Sequence, residues 1–203
     1  MNRPAKNKVL VLFDFDGTLT YKDSFIDFLL FSEGLPRCLL GLVCLSPQIV
    51  LYFLKIISNE KAKQAVFKWF FRGREYTLFK EKTNLYSVKR IPLILRDHEK
   101  KRMMWHKSEN HEIVLVSASL EAYLGEWCRS NGIDCIGTKI EVKDGRVSGE
   151  FSTRNCYGAE KVKRIKEKYN PEEYHFIYAY GDTRGDREML ALAHEKFYKG
   201  NKL

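Results

Sequence analysis

The sequence contains few residues that could cross-link the fold through disulfides or a zinc ion. Its five cysteines are an odd number and no two form a C-x-x-C pair, so neither a disulfide framework nor a zinc site is indicated. There is also no internal repeat, low-complexity tract or Pro/Ser-rich linker in the 203 residues. These absences favour one globular domain with at most a small insert, folded in a reducing cytosol.

The N-terminus has no apolar run long enough for a secretory leader. The basic residues 1–8 lead into an apolar run at 9–13, but Asp14 ends this run before the roughly 7–15 apolar residues that a leader requires. The sequence therefore predicts no cleaved leader and a cytoplasmic protein.

Acidic residues are in the minority. Lys and Arg together number 35 and Asp and Glu 26, which gives a formal charge of +9. A basic balance of this size suits an anionic partner, but it does not choose among a phosphorylated substrate, an acidic lipid surface and a nucleic acid.

Three short apolar segments have the character of buried strands. They cover residues 8–13, 112–117 and 174–180, and each is followed by polar residues and a helical pattern. This alternation predicts an α/β fold with a Rossmann-like parallel sheet, whose site lies where the strands end. Residues 137–151 are expected to form a hairpin that turns at Asp144-Gly145.

About 90 residues of helical character separate the first two predicted strands, too many for a simple crossover. We assign residues 22–92 to a helical cap inserted after the first strand, and residues 1–21 and 93–203 to the catalytic core. Gly34 is a plausible end for the first cap helix. The aromatic residues at helical spacing in this segment are expected to pack in its core: Phe67, Phe70 and Phe71.

The first predicted strand runs directly into Asp14 and Asp16, and Gly17 lets the backbone turn after them. Two such carboxylates have three uses: metal ligation, general acid/base catalysis or capping of a following helix. The full string, D-F-D-G-T-L-T, is more specific than the pair of acids alone. It resembles the first motif of the haloacid-dehalogenase superfamily.

The other motifs of that superfamily follow in order. Ser117 ends the second strand in "VSAS", Lys161 ends "NCYGAEK" and opens a helix, and Asp182 and Asp186 lie in "GDTRGD" after the third strand. Taken alone, each residue is better explained as a strand end, a solvated helix face or a helix cap. Because they occur together, in order and in the expected structural context, the chain is identified as resembling this superfamily.

The resemblance implies a Mg²⁺-dependent phosphomonoester hydrolase that works through an aspartyl phosphate. Asp14 would be the nucleophile and Asp16 the general acid and base, while Ser117 and Lys161 would bind the phosphate. The metal would be held by the carboxylates of Asp14 and Asp182 and the backbone carbonyl of Asp16. Asp186 would hold a metal-bound water or orient Lys161.

A helical cap between the first two motifs resembles the phosphoserine-phosphatase-like branch. That branch often has an acidic substrate contact just beyond the first motif, which makes Asp23 a candidate for substrate specificity; capping of the next helix is an equal alternative. Arg72 and Arg74 could bind a substrate anion, but neither aligns with a phosphoserine-binding arginine. Gly185 departs from the branch, which commonly has an amide or acid there.

Residues 35–57 form an unusual apolar stretch that carries no charge from Cys38 to Leu54. Two alternatives remain open: apolar helix faces that pack within the cap, or shallow peripheral contact with an anionic membrane at its inner face. A basic chain with such a cap resembles the phosphatidylglycerophosphatase C-like group, which implies a lipid head-group phosphate as substrate. The alternative functions are a small-molecule phosphatase of the phosphoserine type and a non-catalytic phosphate- or membrane-binding module. Nucleic acid is not an expected partner.

Overall fold

A six-stranded sheet forms the centre of the computed structural model, which describes residues 8–203. The predicted absence of a leader rests on residues 1–14, of which residues 1–7 lie outside the described residues, so it stays a prediction. The strands are β1 (Val9–Phe13), β2 (Glu112–Leu120), β3 (Asp134–Thr138), β4 (Ile140–Lys143), β5 (Arg146–Phe151), β6 (Phe176–Gly181), β7 (Glu195–Tyr198) and β8 (Asn201–Lys202).

The strand order in the sheet is β3-β2-β1-β6-β7-β8, and all neighbours are parallel except β7 and β8. The three predicted strands are thus β1, β2 and β6, which lie side by side. This confirms the predicted α/β fold with a Rossmann-like parallel sheet. Because β1 lies between β2 and β6, the residues that follow all three strands meet at one edge of the sheet.

Most of the helices lie between β1 and β2. The helices are α1 (Ser24–Cys44), α2 (Ser46–Phe53), α3 (Asn59–Phe71), α4 (Tyr76–Lys89), α5 (Ile91–Ile94), α6 (Asp97–Ser108), α7 (Glu121–Ser130), α8 (Ala159–Lys168) and α9 (Arg187–Ala191). We call α1–α4 the cap; the exact division of the chain at residues 22–92 stays a prediction. Gly34 has non-helical backbone angles, with a φ of +75°, and divides α1 into two helical segments, so the predicted end of the first cap helix at Gly34 is confirmed; a second helical segment follows directly.

The sheet is buried on both faces. Val11 and Phe13 point into an aromatic-rich cluster that continues into the cap, and Leu10 and Leu12 point into a smaller cluster beneath α8 and α9. An uninterrupted apolar strand is the pattern expected when both faces are covered. The predicted packing of the cap aromatics is confirmed, since all three are buried in the first cluster: Phe67, Phe70 and Phe71.

The predicted hairpin is confirmed, and it is hydrogen-bonded to the cap. β4 and β5 pair antiparallel, and both turn residues, Asp144 and Gly145, have the positive φ that a tight hairpin turn requires. Val147 exchanges backbone hydrogen bonds of 2.8 Å with Gly73 and Arg74 of the cap. The hairpin therefore fixes the cap relative to the sheet.

The C-terminal half of α1 and the whole of α2 expose apolar side chains. No residue of α2 is buried, and the exposed fraction reaches 69% at Val43 and 76% at Phe53. The exposed members, called the apolar surface below, are Leu35, Leu39, Leu40, Leu42, Val43, Val50, Leu51, Tyr52, Phe53, Leu54 and Ile56. Packing of this stretch wholly within the cap, one of the two alternatives above, is therefore wrong.

Among residues 8–203, no single helix has the length and apolar character to cross a membrane. The bent pair of α1 and α2, at an angle of 64°, meets that criterion when the two helices are taken together, by length and composition only.

Candidate active site

The predicted site residues converge at the edge of the sheet where β1, β2 and β6 end. Asp14 follows β1 directly and Asp182 follows β6; Ser117, predicted to end the second strand, lies in β2 three residues before its last residue, Leu120. Gly17 has a φ of +81°, and a Cβ atom there would lie 2.1 Å from the Asp182 carboxylate. Glycine is therefore required at position 17 for two reasons: the backbone conformation and the close approach of two loops.

Lys161 joins two of the acids. Its Nζ atom donates to Asp14 Oδ1 at 2.5 Å, to Asp186 Oδ1 at 2.6 Å and to the backbone oxygen of Val116 at 2.8 Å. Burial would lower the pKa of this ammonium, but Asp14 and Asp186 outweigh burial and hold the pKa above its ordinary value. Lys161 is thus a permanently charged, fully hydrogen-bonded group at the base of the site.

Asp14 is buried, and its charge is only partly compensated. Burial raises the pKa of Asp14 to about 7, Lys161 opposes this rise and Asp186 adds to it. A nucleophilic carboxylate must be ionised, so additional positive charge beside Asp14 would favour its reactive form.

Asp16 occupies a separate polar environment. Its carboxylate accepts hydrogen bonds from the Ser24 backbone N–H at 2.7 Å and from Ser119 Oγ at 2.5 Å. Burial raises the pKa of Asp16 and the neighbouring Asp23 adds to this shift, while the hydrogen bonds oppose it. A carboxyl group whose pKa is raised can retain a proton to give away, as a general acid must.

Three carboxylates form a group with the donors that a hard cation prefers. Oxygen atoms of Asp14, Asp182 and Asp186 lie within 4.8 Å of one another. Burial and the charge of Asp186 raise the pKa of Asp182, and within this group one ammonium, that of Lys161, faces three acids. Mg²⁺ binds carboxylate oxygens and needs no dedicated cage, so these residues fit the predicted ion.

Asp186 is held by its own loop. Its Oδ2 atom accepts from the backbone N–H and the hydroxyl of Thr183, both at 2.9 Å, while Oδ1 accepts from Lys161. The Lys161 ammonium lowers the pKa of Asp186 despite its burial. Of the two predicted roles for Asp186, the structure therefore contains the geometry for orienting Lys161.

A cavity of about 490 Å³ lies above these groups, between the sheet edge and the cap. Asp14, Asp16, Ser117 and Lys161 line its floor. Ser117 Oγ accepts from the Ser119 N–H at 3.0 Å, which leaves its own proton available to a ligand. The cavity is large enough for a small phosphate ester.

Asp23 lies at the rim of the cavity and caps α1. Its Oδ1 atom accepts from the Ile26 N–H at 2.9 Å, so the capping alternative is confirmed. Its role in specificity stays a prediction. Arg72 and Arg74 do not line the cavity, and Arg74 pairs instead with Glu33 at 2.5 Å.

The structure also explains the departure at Gly185. A Cβ atom at this position would lie 2.2 Å from the ring of Tyr157, which lines the cavity. Tyr157 thus fills the space that a side chain at position 185 would need.

Several residues of the site are absent from the sequence-based prediction. Ser119 carried a signal, since in an extended strand it lies on the same face as Ser117 two positions before it. No sequence signal pointed to three further residues. Ser24 donates a hydrogen bond to Ser119 and forms another with Tyr123, and Lys63 lines the cavity from the cap.

Comparison with known proteins agrees with this geometry. The family model for haloacid dehalogenase-like hydrolases matches residues 11–191. The chain belongs to this family. The match includes all the predicted site residues, from Asp14 to Asp186, and so confirms the resemblance on which their assignment depends.

Relatives extend the similarity over nearly the whole chain. Protein CicA of Caulobacter vibrioides is 35% identical over 193 residues, which cover 94% of this chain and 86% of the relative. A solved protein of unknown function from Bordetella pertussis Tohama I has the same fold, with a TM-score of 0.80, 19% identity and coverage of 94% and 89% of the two chains. A phosphoserine phosphatase solved as a phospho-aspartyl intermediate analogue has a TM-score of 0.60 at 14% identity, covering 97% and 95%.

Proposed function

We propose that this hydrolase is a Mg²⁺-dependent phosphomonoesterase that forms an aspartyl phosphate on Asp14. The observation that carries the proposal is the position of Asp14, at the end of the central strand and on the floor of the cavity, 2.5 Å from the Lys161 ammonium. The phosphoserine phosphatase with this fold, solved as a phospho-aspartyl analogue, supports the same chemistry.

In the first step, a carboxylate oxygen of Asp14 attacks phosphorus and the bond to the leaving oxygen breaks. Asp16 gives its proton to that oxygen, and the raised pKa of Asp16 suits this task. In the second step, Asp16 takes a proton from water, which attacks the phosphorus and releases phosphate from Asp14. Ser117 and Lys161 stabilise the negative charge of the phosphoryl oxygens throughout.

Asp14, Asp182 and the Asp16 backbone carbonyl would hold Mg²⁺, with Asp186 behind them. When bound, the ion supplies positive charge that lets an anionic carboxylate approach an anionic phosphate. Burial of Asp14 makes this compensation necessary, because Lys161 alone leaves the pKa of Asp14 near 7.

The test is hydrolysis of p-nitrophenyl phosphate with and without Mg²⁺. We expect metal-dependent turnover that Asp14→Asn abolishes, since an amide is a poor nucleophile. Asp144→Asn, in the exposed hairpin turn, is the matched control and retains turnover. Normal turnover by Asp14→Asn would sink the assignment of the nucleophile.

We further propose that the substrate is a lipid head-group phosphate, reached by a catalytic face in the cytoplasm at the inner face of an anionic membrane. The apolar surface supports this, because Tyr52 belongs both to it and to the cavity wall. The exposed Arg37 and Lys55 lie near its two ends in the sequence and suit anionic lipid. A surface of this composition is rarely left in water.

Two measurements test the lipid proposal. A phosphatase screen over phospholipids, phosphoserine, sugar phosphates and nucleotides should favour the phospholipids; preference for phosphoserine would support the small-molecule alternative. The protein should also pellet with anionic vesicles, and the double variant Leu42→Asp, Val50→Asp should pellet less. No pelleting at low salt would contradict membrane contact.

A further inference from the structure

A second lysine reaches the cavity from the cap. Lys63 lies on α3, and its Nζ atom donates to the backbone oxygen of Ala118 at 2.7 Å. Ala118 is the neighbour of Ser117, so this ammonium lies beside the phosphate-binding end of β2. Phe25 supports the side chain, with Nζ 4.9 Å from the centre of its ring.

Lys63 and Lys161 differ in how much of their hydrogen-bonding capacity the protein uses. An ammonium has three N–H groups. Lys161 uses all three on Asp14, Asp186 and Val116. Within residues 8–203, Ala118 supplies the one hydrogen-bond acceptor of Lys63, and no carboxylate forms an ion pair with it. Lys63, which lines the cavity, therefore has two N–H groups available to a ligand.

The surroundings of Lys63 favour an anionic ligand. Burial lowers the pKa of this ammonium, while Asp16 and Asp23 oppose that shift through their charges. Lys63 is half-buried, and a cation partly removed from water without a paired counter-ion is costly, so an anion bound in the cavity would reduce that cost. The same groups face the cavity in which the phosphate ester is proposed to bind.

The position of Lys63 does not depend on its own hydrogen bond alone. One helical turn earlier on α3, Asn59 Oδ1 accepts from Asn155 Nδ2 of the core at 3.1 Å. Phe67, one turn later, is buried in the cluster shared by the cap and the sheet. The helix that carries Lys63 is thus anchored on both sides of it.

We propose that Lys63 is a substrate-binding residue, which donates to the phosphoryl oxygens from the cap side of the cavity while Lys161 acts from the floor. The proposal rests on the proposed phosphatase function and names the cap's contribution to it. A purely mechanical role, attachment of the cap to Ala118, is the alternative that the experiment must separate.

Substitution of Lys63 by glutamine and by arginine distinguishes phosphate binding from attachment of the cap. Lys63→Gln can still donate to the Ala118 oxygen but has no charge, whereas Lys63→Arg keeps the charge. Lys61→Gln, on the exposed face of the same helix, is the matched control. For each protein, titration calorimetry gives the Kd of inorganic phosphate in the presence of Mg²⁺, p-nitrophenyl phosphate gives kcat and KM, and thermal unfolding gives Tm.

We expect Lys63→Gln to raise the Kd of phosphate and the KM by about tenfold or more, with a smaller change in kcat and an unchanged Tm. Lys63→Arg should stay within about threefold of the natural protein, and Lys61→Gln should equal it. Unchanged phosphate binding in Lys63→Gln, or equal losses in the Gln and Arg variants, would overturn the role of Lys63. Phosphate binding without turnover would contradict the phosphatase proposal alone, since the comparison of Kd values would still decide for or against Lys63.

Discussion

The floor of the cavity and the apolar surface are built in opposite ways. On the floor, charged side chains are buried and hydrogen-bonded to one another, as in the contact of Lys161 with Asp14 and Asp186. On the apolar surface, large hydrophobic side chains are exposed, and α2 has no buried residue. A buried charge is costly unless it has partners, and an exposed apolar surface of this size is uncommon on a monomeric protein.

The two regions tolerate change differently. A buried charge depends on particular partners at particular distances, so one substitution leaves another group uncompensated. An exposed apolar side chain is already in water, so its replacement changes the stability of the fold little. Substitutions in the two regions should therefore differ most in their effect on the free energy of unfolding.

The largest effect is expected from Lys161→Met. This substitution leaves Asp14 and Asp186 buried without their counter-charge, and we expect the free energy of unfolding to fall by about 3–5 kcal/mol. Urea unfolding at neutral pH without divalent cations measures it. Lys163→Met, exposed on the same helix, is the control and should change the value by about 0.5 kcal/mol or less. Equal losses in the two variants would show that the floor does not depend on its ion pairs.

A second effect concerns the close approach of two loops on the floor. Gly17→Ala places a methyl group 2.1 Å from the Asp182 carboxylate, whereas Gly132→Ala meets no atom within 4 Å. Both glycines have a positive φ, so both substitutions should cost about 1 kcal/mol of backbone strain. Only Gly17→Ala should also raise the Mg²⁺ concentration needed for half-maximal hydrolysis, by about tenfold. An unchanged metal requirement would contradict the assignment of Asp182 as a ligand.

A third effect lies beneath the floor, where His106 is buried between Tyr180 and His111. Burial, together with the nearby His111 and Arg102, lowers the pKa of His106 to about 3. As the pH falls through about 6.5, His106 is protonated in the unfolded chain but stays neutral in the folded protein. Stability contributed by neutral His106 is complete above that pH and declines as the pH falls towards 3.

Between pH 7 and pH 5, the contribution of His106 to the free energy of unfolding of the natural protein should fall by about 2 kcal/mol. His106→Gln is less stable at pH 7 but should lose about 2 kcal/mol less over the same interval, because glutamine does not titrate. Urea unfolding at both pH values provides the comparison. Parallel losses in the two proteins would place the acid sensitivity elsewhere.

The floor could be predicted from the sequence because its chemistry restricts both residue type and position. Asp14 and Asp182 each follow a strand and Ser117 lies three residues before the end of β2, and parallel strands bring their carboxyl ends together whatever the rest of the chain does. The order of the motifs then identified Lys161, although its helix carries several other lysines. Nothing in that helix alone singles out the lysine that points inward.

The cap could not be predicted to the same depth. Lys61, Lys63 and Lys68 share α3, and only the packing of Phe67 and its neighbours within the cap and against the hairpin decides which lysine faces the cavity. The break at Gly34 could be predicted, because glycine is a local signal, but the direction that the second segment of α1 takes beyond it could not. Residues placed by tertiary packing are therefore the ones that sequence reasoning misses.

The smallest effect on stability is expected from the double variant Leu42→Asp, Val50→Asp on the apolar surface. These side chains are more than half exposed, with exposed fractions of 57% and 53%, so folding removes less than half of their area from water. We expect the free energy of unfolding to change by about 0.5 kcal/mol or less. Phe71→Ala, fully buried in the same cap, is the contrast and should cost about 3–5 kcal/mol. A large loss in the double variant would mean that the apolar surface is covered within the folded chain and is not available to a membrane.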